Sequence, residues 1–243
     1  MNISHTLFVG CGGTGSYLAE PLTRLLSYSF AVEGVVITFC DGDQFEPINA
    51  IRQKMDLTKD AGRNKAEVIA EQVAAMHGRD NVIQTHPDFL SPSWLKEWLL
   101  NEAGDCPMIV ACVDNDATRK IICDALEEAK AFLPSFFFIT PGNHAGTGQD
   151  PARVEGQVLW WGWTEGTEFG LNPAKLYPNI ENPTDPSPVR GTCTANAPSQ
   201  PQLIAANSMA AAATLSVISS LMQAKIDPTK HGYFFTPNKA EVI

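Results

Sequence analysis

Short apolar runs alternate with segments of helical periodicity through the first two-thirds of the chain. Strands are predicted over residues 6–9, 35–40, 82–85, 108–112 and 136–139. Helices are predicted over residues 13–28, 64–76, 92–101 and 117–131, and Pro21 should bend or distort the first of them. Strands and helices that alternate at this spacing favour right-handed βαβ units and an open, mostly parallel sheet.

The pattern changes in the last third of the chain. A solitary strand is predicted over residues 156–161, and the stretch 165–202, rich in Pro, Asn, Gly and Thr, predicts a long loop. A helix over 203–222 and an antiparallel hairpin over 233–243 should follow. We therefore expect one Rossmann-like α/β domain over residues 1–243, with a nucleotide-binding part at 1–150 and a crossover loop, helix and hairpin at 151–243 that complete the sheet.

The composition limits which classes of partner and which cellular compartment we expect. A formal net charge of −10 over 243 residues argues against nucleic acid or an anionic membrane as the main partner. The apolar run at 203–222 contains Asn207 and several Ser and Thr, which favours a buried helix over a membrane span. The N-terminus lacks a signal-peptide pattern and the six cysteines lack CxxC spacing, so we expect a cytoplasmic protein without zinc.

A glycine-rich loop, Gly-Cys-Gly-Gly-Thr-Gly-Ser at residues 10–16, follows the first predicted strand. Such glycines allow a tight turn and close backbone approach, and the next helix offers its N-terminal amides to a phosphate. Asp41, at the end of the second strand, could accept hydrogen bonds from ribose hydroxyls. This fingerprint serves NAD, FAD and ATP proteins alike, and a strand-to-helix turn without a ligand is the alternative. The loop candidates are Gly10, Gly12, Gly13, Thr14 and Gly15.

The segment after the second strand carries polar groups suited to a triphosphate. Arg52 could grip phosphate oxygens bidentately and Lys65 could add a point charge. Asn49 and Gln53 could donate neutral hydrogen bonds. The alternative is a solvated polar loop in which Arg52 and Lys65 are ordinary exposed cations.

The glycine loop, together with residues 41–53, 62–66 and 113–119, resembles the ThiF/MoeB/HesA superfamily of ubiquitin-activating-enzyme-like adenylyltransferases, with most similarity to ThiF-like proteins of plasmid- or phage-borne gene sets. The resemblance implies that Asp114 lies by Mg²⁺ and the phosphates; an N-cap of the following helix is the alternative for this residue. The nucleotide-binding set that it implies is Asp41, Asp43, Asn49, Arg52, Gln53, Lys65, Asp114, Asn115 and Arg119.

Cys193 lies near the end of the predicted loop, where members of this superfamily carry a catalytic cysteine. Its spacing to Gln200, Gln202 and Asn207 is similar to that in some ThiF-like proteins. An exposed thiol beside Arg190 could take an acyl group from an adenylate, whereas the alternative is an unreactive loop cysteine.

The resemblance implies ATP- and Mg²⁺-dependent adenylation of a carboxyl group, that of a ubiquitin-like or sulfur-carrier protein ending in glycine, by a homodimer in which Arg52, Lys65, Asp114 and Cys193 are catalytic. The chain departs from many relatives in lacking an arginine before the first strand and a paired CxxC zinc site. Three alternatives stay open: another acceptor such as a small molecule, peptide or tRNA base; a nucleotide-binding scaffold subunit; and an NAD-binding oxidoreductase.

Overall fold

The computed structural model describes residues 3, 5–29, 34–77, 81–144, 155–185, 204–236 and 239–243. Within these residues the strands form one nine-stranded sheet. The strands are β1 His5–Val9, β2 Val36–Cys40, β3 Val82–His86, β4 Met108–Ala111, β5 Ser135–His144, β6 Glu155–Thr164, β7 Thr167–Gly170, β8 Gly232–Thr236 and β9 Lys239–Val242.

The strand order is β3-β2-β1-β4-β5-β6-β8-β9, and β7 pairs with the end of β6 that β8 leaves uncovered. Strands β1 to β5 are parallel, whereas β6, β8 and β9 each run antiparallel to their neighbours. This arrangement confirms the expected Rossmann-like sheet with a terminal antiparallel hairpin. Strand order reverses at β1, between β2 and β4, which is where open α/β sheets bind their ligands.

The helices are α1 Gly13–Arg24, α2 Lys65–His77, α3 Pro92–Asn101, α4 Asp116–Ala129, α5 Pro173–Leu176, α6 Pro178–Glu181 and α7 Ile204–Met222. A 3₁₀ turn spans Pro47–Ile51. Pro21 lies inside α1, and the chain continues from α1 into a π-helical turn at Leu25–Ser29. The distortion predicted at Pro21 stays a prediction, because α1 runs past the proline to Arg24 as an α-helix and the π-helical turn begins only at Leu25.

The prediction of a featureless loop from residue 165 is wrong for the part of it that the structure describes. Strand β7 pairs with β6, and α5 and α6 follow directly. Pro173 and Pro178 each begin a short helix, where a missing N–H costs nothing. The Asn172 side chain caps α5 by accepting a hydrogen bond from the Ala174 N–H at 2.9 Å. Residues 186–203 lie outside the described residues.

Two apolar cores lie on opposite faces of the sheet. Helices α1, α2 and α7 cover one face, and α3 to α6 cover the other. By length and mean hydropathy α7 could also cross a membrane. This is weak evidence for a membrane span, because the core helix of a soluble protein has the same character and α7 packs against α1, β5 and β6.

Candidate active site

The glycine loop closes over the carboxyl ends of β2 and β4. Gly10 has φ +89°, and its N–H donates to the Cys40 carbonyl at 2.9 Å. A side chain at Gly10 would lie 2.6 Å from the Cys112 carbonyl oxygen. The Cβ atom of a side chain at Gly15 would lie 1.9 Å from the Gly10 carbonyl oxygen. These two positions therefore require glycine for packing within the loop itself.

The Asp41 carboxylate links the glycine loop to the segment that follows β2 through hydrogen bonds. Its Oδ2 accepts from the Cys11 N–H at 2.7 Å, and its Oδ1 accepts from the Asp43 N–H at 2.9 Å. Burial raises the pKa of this carboxyl group, against the lowering effect of nearby Lys65. A carboxylate offers about four lone-pair sites, so the predicted ribose contact is compatible with these bonds and stays a prediction.

Lys65 is a buried cation at the carboxyl edge of the sheet. Its side chain is 10% exposed, and its Nζ lies 3.2 Å from Asp43 Oδ2. The preceding residue, Asn64, donates through Nδ2 to the carbonyl oxygens of Asp41 at 2.8 Å and Asp43 at 3.2 Å. The role of Asn64 was missed from the sequence, although an Asn directly before a helix is a signal for a cap. The exposed alternative for Lys65 is wrong, because the lysine is held inside the site.

The polar segment after β2 folds back onto the glycine loop. The Lys54 N–H donates to Ser16 Oγ at 3.0 Å. Gln53 is 4% exposed, and its Nε2 lies 3.5 Å from where a Gly12 side chain would begin. Among the described residues its Oε1 is buried without a hydrogen-bond partner. Buried polar atoms usually have a partner, so this amide is suited to a ligand at the loop.

In the same segment, the Asn49 side chain bonds the backbone, whereas the Arg52 guanidinium does not pair with a described carboxylate. Asn49 is buried, and its Oδ1 accepts from the Glu46 N–H at 3.1 Å, which stabilises the 3₁₀ turn. The half-buried Arg52 forms no ion pair with any described residue, and its carbonyl accepts from Asn207 Nδ2 at 3.0 Å. The guanidinium is therefore available to a phosphate.

At the end of β4, Asp114 is exposed. The residue that caps α4 is Asn115, whose Oδ1 accepts from the Thr118 N–H at 2.8 Å, so the N-cap alternative for Asp114 is wrong. In the described part of the chain no cluster of three or more His, Cys, Asp or Glu side chains could hold a metal ion. One exposed carboxylate nonetheless fits Mg²⁺, which commonly takes one or two carboxylates together with waters and substrate phosphates.

Arg119 is occupied by protein acceptors. Its Nε donates to Thr140 Oγ1 at 3.2 Å, and its Nη1 pairs with Asp116 Oδ1 at 2.9 Å. Its Nη2 donates to the Val113 carbonyl. The side chain thus ties the β4–α4 turn to β5, and its predicted contact with the nucleotide stays a prediction.

Cys193 lies outside the described residues, and the described cysteines are poor nucleophiles. Burial raises the thiol pKa of Cys11, Cys40, Cys112 and Cys123, and raises that of Cys106 to about 11. Because the thiolate is the reactive form, none of these five is suited to acyl transfer at neutral pH.

Comparisons with solved structures find proteins of similar fold. A solved structure of PaaA is 16% identical and covers 99% of this chain and 63% of that one, with a TM-score of 0.61. A structure of E. coli MccB with ATP is 16% identical, covers 99% of this chain and 62% of MccB, and has a TM-score of 0.62. E. coli tRNA N6-threonylcarbamoyladenosine dehydratase, TcdA, is 19% identical, covers 91% and 87% of the two chains, and has a TM-score of 0.57.

At these identities the similarity shows a shared fold. The chain spans less than two-thirds of the length of PaaA and MccB, at 63% and 62%. No curated protein sequence matches it. The model of the ThiF family matches residues 1–233, nearly the full length. The chain belongs to the ThiF family.

Proposed function

We propose that this protein binds ATP at the glycine loop and adenylates a carboxyl group, that of the C-terminal glycine of a ubiquitin-like or sulfur-carrier protein. The observation that carries the proposal is the return of residues 52–54 onto the glycine loop, where Gln53 faces Gly12 and the Lys54 N–H bonds Ser16. A dehydrogenase needs no such set of amide and cationic groups after its second strand. A triphosphate does, because its charge must be gripped and neutralised.

Each polar group has a role in this reaction. The amides at the start of α1 hold phosphate oxygens, Arg52 grips them bidentately, and Lys65 adds charge from its buried position beside Asp43. Mg²⁺ held by Asp114 would neutralise charge on the phosphates. The substrate carboxylate attacks the α-phosphorus, the bond from that phosphorus to the bridging oxygen of pyrophosphate breaks, and pyrophosphate leaves. The nucleophile is already ionised, so no general base is required.

Further parts of the proposal extend beyond this step. The Cys193 thiolate would attack the acyl carbon of the adenylate, forming a thioester and releasing AMP. We also propose a homodimer that acts in the cytoplasm. Family membership supports the adenylation, as do the solved structures of MccB and TcdA with ATP.

The test is ATP–pyrophosphate exchange that depends on a candidate carrier. Arg52→Ala and Lys65→Ala should each lower the exchange roughly a hundredfold, the usual cost of removing one preorganised charge-stabilising group. Lys59→Ala is the matched control, because Lys59 is 78% exposed and its one ion pair within the described part of the chain is with Asp56 on the surface. Cys193→Ala should preserve exchange and abolish the thioester.

Thermal shift with ATP and Mg²⁺ against NAD separates the nucleotide classes. A ligand at about a hundred times its dissociation constant adds about 2.7 kcal/mol of stability. Stabilisation by NAD alone, or the absence of any carrier-dependent exchange together with no shift by ATP, would overturn the proposal.

A further inference from the structure

Asn207 is a polar residue in the first turn of the apolar helix α7. It is 0% exposed, and buried alanines flank it at Ala206, Ala210 and Ala211. An amide in such surroundings is costly unless its polar atoms find partners. Its partners therefore indicate why an asparagine stands there.

Among the described residues, the Asn207 amide bonds two segments of the candidate ATP site and one residue of β5. Oδ1 accepts from Asn143 Nδ2 on β5 at 2.6 Å and, at the long limit of 3.5 Å, from Thr14 Oγ1. Nδ2 donates to the Arg52 carbonyl at 3.0 Å. A flipped amide would set its oxygen against the Arg52 carbonyl oxygen, so these partners determine its orientation.

The same amide lies against the first residue of α1. A side chain at Gly13 would begin 2.8 Å from Asn207 Nδ2 and 2.9 Å from its Oδ1. The third glycine of the loop is therefore matched to Asn207 by close packing. One side chain thus contacts both segments that are expected to hold the phosphates, the start of α1 and the backbone of Arg52.

We infer that Asn207 is a positioning residue for the nucleotide: it sets the start of α1 relative to Arg52 and so couples α7 to ATP binding. This inference rests on the proposed function. Asn207 is wholly buried, so it acts through Gly13, Thr14 and the Arg52 carbonyl and does not touch the ligand. In the sequence, Asn207 lies shortly after the segment that contains Cys193.

Asn207→Asp is the sharpest variant, because it is nearly isosteric and keeps an acceptor for Asn143. It replaces the donor to the Arg52 carbonyl with a carboxylate oxygen. Thr214→Val is the matched control. Thr214 is also 0% exposed on α7, but the bond that its hydroxyl makes to a described residue stays within the helix, to the Ala210 carbonyl at 2.7 Å. The dissociation constant for ATP with Mg²⁺ is measured by calorimetry, and stability by urea unfolding without nucleotide.

We expect Asn207→Asp to weaken ATP binding about tenfold and Thr214→Val to leave it unchanged. This difference should hold even if both substitutions lower the free energy of unfolding by the same amount. A purely structural role would move only the unfolding midpoint. In a double-mutant cycle with Arg52→Ala, the losses of affinity should be strongly non-additive, because Asn207→Asp already displaces Arg52.

Wild-type affinity for ATP in Asn207→Asp, or additive losses in the cycle, would overturn the inference and leave the proposed function intact. A wild-type protein that binds no ATP would overturn both. Should Asn207→Asp fail to fold, Asn207→Ala replaces it. In a Gly13→Ala background Asn207→Ala should then improve ATP affinity, because it makes room for the new methyl group; an unchanged or lower affinity there refutes the inference.

Discussion

Gly15→Ala tests the packing that shapes the glycine loop. Gly15 lies in the first turn of α1, and the added methyl carbon would lie 1.9 Å from the Gly10 carbonyl oxygen and 3.2 Å from the Phe8 ring. The 1.9 Å contact is with backbone, so no side-chain rotation relieves it. The start of α1 and the loop must separate, which also disturbs the amides expected to face the phosphates.

Two opposing effects determine how much Gly15→Ala changes the free energy of unfolding. Overpacking in a close-packed region costs up to about 3 kcal/mol. Alanine is favoured over glycine inside a helix by about 1 kcal/mol, which offsets part of that cost. We therefore expect a net loss near ~2 kcal/mol, which for a domain of this size lowers the melting temperature by roughly 4–8 °C.

Calorimetry or urea unfolding measures this loss, and ATP titration measures the effect on the site. Gly142→Ala is the control, because the atom nearest to its added methyl is Gln157 Cγ at 4.0 Å, and its stability should change by less than about 0.5 kcal/mol. If Gly15→Ala melts with the wild type and binds ATP equally well, the packing explanation of this glycine is wrong.

Two further predictions concern the supporting residues. Arg119→Lys should lower the free energy of unfolding by about 2 kcal/mol, since a lysine cannot replace three directed donors in a side chain that is 12% exposed. Lys96→Ala, in a pair with Glu128 whose side chains are 61% and 66% exposed, should change it by less than about 0.5 kcal/mol in the same urea assay, and equal effects would contradict this role. Native protein treated with iodoacetamide at pH 8 should be alkylated fast at Cys193 only, because a thiol such as Cys106 with a pKa of about 11 is roughly 0.1% thiolate there; peptide mass spectrometry that finds fast labelling elsewhere, or none at Cys193, would refute this.

Several elements were predictable because their signals are local. The α3 boundaries follow from Ser91, which caps the helix by accepting from the Trp94 N–H, and from Pro92 at its first position. The buried strands β1, β2 and β4 appear as apolar runs with sharp flanks. The glycine loop and the polar segment after β2 were likewise recognisable as candidate parts of one site.

Other features depend on contacts between distant segments. Strands β5 and β6 were predicted as 136–139 and 156–161, yet each spans ten residues because the two pair along their full length. Asn115 and Asp114 are equally good cap residues by type, and the backbone geometry at the end of β4 selects Asn115.

Residue type and spacing thus determined the alternating elements, the position of the candidate phosphate-binding loop and the family, because backbone preferences and hydrophobic periodicity act over a few residues. Tertiary structure alone decided which polar side chains face the site and which support it. Arg119 resembled a ligand residue and is engaged by protein acceptors, whereas Asn207, 193 positions from Thr14, packs beside it. Such roles depend on which buried atoms already have partners, and only the folded chain specifies that.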